Sequence, residues 1–183
     1  TDMHETEQRQ MQIVGLPPRI APLRSSEMED TSRAVADRLR RAAGLPQNDE
    51  IPEVVATLLR HPRLYEKHVE LGTALLAEGV LAPRHRELVI LRTGWLCGAP
   101  FEWGEHVEIA RRNGITSEEI NLVTVGSQAD AWSHVERTLL RAAEELHADA
   151  MIGDATWSEL AAFLNEMQLI ELVYVIGNYT KVA

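Results

Sequence analysis

RELVILRTGWLCGAPFEWGEH, residues 86–106, decides how this chain reads. Wound at roughly 100° per residue, Leu88, Val89, Ile90, Leu91, Trp95 and Leu96 cover nearly the whole circumference of a helix. A helix that is apolar all round is central to its domain. Glu87 falls in a sector with Ile90, Leu91 and Gly94, an apolar setting for a carboxylate. Pro100 opens a second helix. On it, Glu105, Glu108, Arg111 and Arg112 share one arc, which is the wet side, and Trp103, Val107 and Ala110 lie across from them. Glu102, His106 and Asn113 stay off the wet arc, so a carboxylate and an imidazole point inward together, one turn apart.

The rest of the chain repeats this helical grammar. Pro62 and Pro83 mark helix starts, and Gly44, Gly79 and Gly114 mark stops. SSEMEDTSRAVADRLRRAAG offers serine caps, early acids and late arginines. EIPEVVATLLRH reads as a short helix with Pro52 in its first turn. Three later starts carry the capping-box pattern: Thr116 with Glu119, Ser133 with Glu136, and Thr156 with Glu159. QLIELVYVIGNYTKVA, at the end, is mostly apolar and must be buried in a core or an interface. VGLPPRIAPL holds three prolines in ten residues, so residues 1–24 read as an extended arm. The expectation is an all-α bundle of about eight helices with short connections, forming a single domain over residues 25–183.

Bulk properties exclude several classes. A net charge of −10 with no basic, aromatic-interleaved stripe disfavours nucleic-acid and anionic-membrane partners. No apolar run approaches the ~20 residues of a membrane span, and the polar start TDMHETEQRQ lacks a signal-peptide core. The single cysteine, Cys97, excludes an internal disulfide and fits a reducing, cytoplasmic setting.

A buried carboxylate and a buried imidazole each need a partner. One reading of Glu102 and His106 is a pair that satisfies itself inside a core. The other is an acid–base site, with Glu87 as a second carboxylate in an unlike environment. In that comparison Glu102, in a first turn, has the helix dipole favouring its charge. At Glu87, burial and a cationic histidine pull in opposite directions, and the sequence leaves the winner open.

RELVILRTGWLCGAPFEWGEHVEIARRNGITSEEI resembles the carboxymuconolactone decarboxylase family, within the alkylhydroperoxidase D-like superfamily. HPRLYEKHVELGTALL before it, and ERTLLRAAEELH and QLIELVYVIGNYTKVA after it, extend the likeness over roughly residues 16–183. The resemblance implies an alkylhydroperoxidase D-like helical bundle assembled as trimers or hexamers, with the site near a subunit interface. The superfamily's peroxidases carry a glutamate, then Cys-x-x-Cys, then a histidine four residues after the second cysteine. Glu87 and His106 match the glutamate and the histidine. Ala99 and Glu102 hold the two cysteine positions, and Phe101 stands where the peroxidases place a further histidine. Cys97 lies two residues before the first cysteine position and is not its equivalent. Without the dithiol, a disulfide-cycling peroxidase has lost its redox centre.

The resemblance therefore implies a cofactor-independent lyase or isomerase. Its substrate would be small, enolisable and cyclic, carboxylated or lactone-bearing, and the reaction a decarboxylation or a related isomerisation or cyclisation. His106 is the expected acid–base group, Glu87 its orienting partner and Glu102 a second acid–base or substrate contact. Trp103, Phe101, Trp95 and Cys97 are the candidates for lining a substrate site, although aromatics at helical spacing also serve as plain core.

Two rival readings stand beside this one: a peroxidase-like antioxidant protein depending on Cys97 alone, and a non-catalytic helical oligomer with a structural Glu–His pair. Cys97 also fits a buried small hydrophobe. Glu87, Glu102 and His106 could form a two-carboxylate, one-histidine metal set. No second histidine has ligand spacing in the motif, so neither metal nor cofactor is expected. His134 and His147 are expected to face solvent. Arg86 and Arg92 are expected to point away from Glu87; either could bind a substrate carboxylate or an acid of a neighbouring subunit, and the intersubunit salt bridge is the favoured reading. A homo-oligomer is expected from the apolar C-terminal segment, from the arm and from the family likeness.

Overall fold

A computed structural model describes residues 8, 11–42 and 51–183. From Ser25 onward these residues hold one 3₁₀ turn, Ser25–Glu27, and nine α-helices, with no strand. The helices are α1 (Asp30–Ala42), α2 (Glu53–Leu58), α3 (Pro62–Leu76), α4 (Pro83–Cys97), α5 (Pro100–Arg112), α6 (Ser117–Val125), α7 (His134–Asp149), α8 (Asp154–Ala161) and α9 (Glu166–Val182). Pro52 sits just ahead of its helix, at the cap, and not within the first turn. The stop assigned to Gly44 lies outside the described residues. Within 1–24, Gln8 and residues 11–13 are helical, whereas 16–24 contain no helix. Two compact units emerge: Gly15–Ala77, and one that holds Glu78–Ala183.

In the smaller unit α1 packs on α3 around Met28, Val35, Ala36, Leu59 and Tyr65. Polar ties fix the loops to this core. Ser32 Oγ donates to the carbonyl of Leu59 at 2.9 Å, and Arg60 Nε donates to the carbonyl of Ala21 at 2.7 Å.

In the larger unit α4 is the axis, packed against α5, α6, α7 and α9. Eleven of its fifteen residues are buried, Glu87, Arg86 and Arg92 among them. Leu88 and Leu91 join Ala110, Ile115, Ile120, Val123, Trp132 and Leu140 in the core. Gly98, in the left-handed region at φ 64°, ends α4, and Pro100 starts α5 two residues later, so the two helices fold back on each other. On α5 the wet arc holds as expected: Glu105, Glu108, Arg111 and Arg112 are exposed.

Two of the three expected capping boxes form, at Thr116 and Ser133. Arg84 reaches across to the acids of both boxes, Glu119 and Glu136, so the same glutamates that cap α6 and α7 also tie them to α4. The third box does not form. Gly153 caps α8, while Thr156 donates to Glu145 Oε1 at 2.6 Å and Glu159 accepts from Thr138 and Arg141. Tertiary partners on α7 thus take both residues. A fourth box, Asn165 with Gln168, opens α9. The C-terminal segment divides by face. Leu169, Leu172, Val175, Ile176 and Tyr179 are buried, whereas Met167, Ile170, Val173 and Tyr174 remain exposed.

Arg92 departs from its expected intersubunit role. Its Nε donates to Glu144 Oε1 at 2.9 Å, and its Nη1 donates to the carbonyls of Val123 and Thr124, both at 2.9 Å. It closes the end of α6 within one chain, where helix carbonyls lack helical partners. Gly126, at φ 87°, follows at once, and a Cβ there would strike this guanidinium and Glu144. Replacing Arg92 by Leu leaves the two carbonyls without this donor and Glu144 without its cation, with Ser127 alone among the described residues still donating to it. The expected cost is about 3–5 kcal/mol, read as a fall in the urea-unfolding midpoint.

Candidate active site

Three helices of the larger unit supply the site: α4 presents Glu87, α5 presents Glu102 and His106, and α9 presents Tyr179. Glu87 is wholly enclosed and His106 is 5% exposed. Glu87 Oε2 lies 2.8 Å from His106 Nδ1, and Glu87 Oε1 accepts from Arg86 Nε at 3.2 Å. A carboxylate offers only lone pairs, so we assign the Nδ1 proton to the histidine. That leaves Nε2 as the nitrogen able to take or give a proton. Nε2 lies 4.0 Å from Glu102 Oε2. This is too long for a hydrogen bond and short enough for one substrate atom to touch both.

The three acid–base residues read from the sequence are therefore brought together. Their electrostatics differ from expectation at Glu102. Burial is the largest influence on it and pushes its pKa up, against the pull of His106; Glu105 adds to the rise. The helix N-terminus does not leave this carboxyl in the ordinary range, because its side chain is only 13% exposed. A carboxyl held toward its neutral form beside an imidazole is a proton donor in place.

Arg86 also departs from expectation, since it bonds to Glu87 and does not point away from it. Neighbouring Cα–Cβ vectors on a helix diverge by about 100°, but the long arginine arm folds back far enough for Nε to reach the adjacent carboxylate. Tyr179 was not foreseen at all. Its ring meets His106 edge-on, with centroids 4.7 Å apart and planes at 89°. Burial raises the phenol's pKa, the charges of Glu87 and Glu102 add to this, and Arg86 opposes them. The hydroxyl stays protonated and can only be a donor or a neutral acceptor at ordinary pH. Tyr179 lies in an apolar segment far from the motif in sequence, so no spacing rule could have linked them.

The other candidates fall less centrally. Trp95 and Trp103 contact each other with centroids 5.4 Å apart, and Trp103 packs on the core around Leu88 and Leu91. Phe101 is 49% exposed, so in this chain it faces outward and does not wall an enclosed site. Cys97 is buried at the last residue of α4, with its sulfur 3.9 Å from His147 Nδ1. His147, expected to face solvent, is half-buried there. His134 is exposed, 3.7 Å from Glu159. Among the described residues no group of three His, Cys, Asp or Glu side chains is arranged to hold a metal ion. Nor is any of their helices long and apolar enough to cross a membrane.

The sign of the Glu102 shift gives a test. With its pKa raised in the folded protein, the native state binds more protons than the unfolded state from about the ordinary value of 4.5 upward. Stability contributed by this group therefore falls as pH rises through that window. Glu102→Gln should gain stability relative to wild type as pH increases from 4.5, measured as the difference in urea midpoints across a pH series.

Comparisons with known proteins bear on the fold and on residues 62–145. The profile of the carboxymuconolactone decarboxylase family matches residues 62–145. A comparison with curated proteins gave no match. Among solved structures, the chain is similar to a protein of unknown function from Agrobacterium tumefaciens proposed as the antioxidant defence protein AhpD. There the TM-score is 0.62 and identity 21%, covering 68% of this chain and 86% of that one. It is also similar to the debrominase Bmp8 in its apo form, with a TM-score of 0.69 and 17% identity over 89% of this chain and 85% of that one. A cysteine-to-alanine variant of Bmp8 in complex with 2,3,4-tribromopyrrole gives a TM-score of 0.69 at 18% identity, covering 90% and 85%. At these identities the solved structures establish a shared helical fold. The profile match runs from α3 into α7, so residues 62–145 carry the likeness to the carboxymuconolactone decarboxylase family.

Proposed function

We infer that this protein is a cofactor-independent enzyme that moves protons on a small, enolisable ring bearing a carboxylate or a lactone. The observation that carries this reading is the buried Glu87–His106 contact of 2.8 Å, with the second imidazole nitrogen turned toward Glu102 at 4.0 Å. Glu87 fixes the orientation of the His106 ring and holds its Nδ1 proton. Glu102 and His106 Nε2 then handle the proton at the substrate.

For decarboxylation of an unsaturated lactone acid, the carbon–carboxylate bond breaks and its electron pair enters the conjugated lactone as a dienolate. Carbon dioxide leaves. A proton from His106 or Glu102 is delivered to carbon, and solvent restores it, so one proton is consumed per turnover. Isomerisation of a related ring uses the same groups, with abstraction at one carbon and return at another. The fold relative that holds 2,3,4-tribromopyrrole is a precedent for a small ring as ligand. Chemistry through Cys97 is less well served. The thiol sits at the C-terminal end of α4, where the helix dipole opposes a thiolate.

The enzyme works as a cytoplasmic homo-oligomer, a trimer or hexamer, in which a second copy covers the exposed Met167, Ile170, Val173 and Tyr174 of α9. Sedimentation at micromolar protein should show a species larger than the monomer, and monomer alone would remove this part of the reading.

The chemical test is incubation with unsaturated lactone acids in deuterium oxide, read by NMR for deuterium entering carbon and for carbon dioxide release. His106→Asn and Glu102→Gln should each lower the rate by about 10²–10⁴-fold. Rates within a few-fold of wild type would overturn the assignment.

A further inference from the structure

Arg86 is 7% exposed, yet among the described residues its guanidinium donates only through Nε, to Glu87 at 3.2 Å. The two Nη groups, which carry four N–H bonds, have no acceptor there and are not sealed from water. Tyr179 is 5% exposed, and its hydroxyl donates to no described residue. Both flank the same pair. Arg86 lies on the Oε1 side of Glu87, His106 on the Oε2 side, and the Tyr179 ring makes a T-shaped contact with that of His106.

A largely buried guanidinium whose fork meets only water has its N–H groups free for an anion from outside the chain. The planar fork matches a carboxylate with two parallel hydrogen bonds. Within the reading given above, on which this step rests, we propose that the Nη fork of Arg86 and the hydroxyl of Tyr179 bind a carboxylate of a small organic acid. This holds the acid's ring against His106 Nε2. Two carboxylates about one guanidinium leave one net negative charge beside the imidazole that the proposed chemistry uses.

The geometry also selects which carboxylate is held. One paired with a guanidinium is stabilised as an anion, which opposes its loss as carbon dioxide. The group on Arg86 is the one that stays, so a substrate that is decarboxylated here carries a second acid function, and one that is isomerised needs only this one.

Binding can be read without turnover. The probes are 2-furoate and sorbate, against their neutral amides 2-furamide and sorbamide, by titration calorimetry and quenching of tryptophan emission. Wild type should bind an acid about tenfold or more tighter than its amide, the value of a charge-assisted pair. Arg86→Lys should lose about tenfold for the acid and little for the amide, and Tyr179→Phe a smaller factor of the same kind.

Equal binding of acid and amide, or saturation by neither acid at tens of millimolar, overturns the proposal. So does an Arg86→Lys protein that keeps full preference for the acid. If Arg86→Lys fails to fold, the wild-type comparison and Tyr179→Phe still decide. An oligomer that dissociates in Arg86→Lys, with no acid preference in wild type, would give the fork to a carboxylate of a neighbouring copy and also overturns it. Acid preference with no exchange or decarboxylation would sink the acid–base reading alone. Exchange without acid preference would sink only this one.

Discussion

A fully enclosed carboxylate on the central helix is the constraint around which the larger unit is organised. Glu87 cannot be left alone in that position, because an isolated buried charge costs far more than one core side chain returns. The fold meets the demand from two directions, with Arg86 on one oxygen and His106 on the other. The second contact requires α5 to run back along α4, which the Gly98–Pro100 reversal provides. The arrangement that makes the site polar is thus the one that fixes how the two helices cross.

The other ionic contacts of this unit are of a different kind. Arg84 and Arg92 each bind glutamates together with backbone carbonyls at helix ends. They close loops and complete caps, Arg84 through all three nitrogens and Arg92 through Nε and Nη1. Arg86 differs because neither of its Nη groups meets an acceptor among the described residues. Of these three arginines, the two that bind carbonyls hold the scaffold, and the third stands beside the candidate acid–base pair.

Much of the site was legible because the helix period is a reliable ruler over short distances. Glu102 and His106 are four residues apart, and the exposed arc of α5 placed them inward. The apolar surroundings of Glu87 showed in the residues flanking it on α4. Arg86 was misjudged because period describes Cβ directions and not the reach of a long flexible arm. The Thr156–Glu159 box failed for a related reason. A local pattern states what a helix start can do, but the acceptors and donors on α7 made a better offer to both residues.

The sequence by itself determined the all-helical class, most helix starts, the centrality of α4 and the inward pairing of Glu102 with His106. Each of these depends on residues within a turn or two of one another. Tertiary structure alone decided that Tyr179 meets His106, that Cys97 lies beside His147, that Arg92 closes α6 and that burial outweighs the helix dipole at Glu102. Those outcomes depend on which distant helix faces which. Burial and Coulomb interactions act through space, and a spacing rule along the chain carries no information about them.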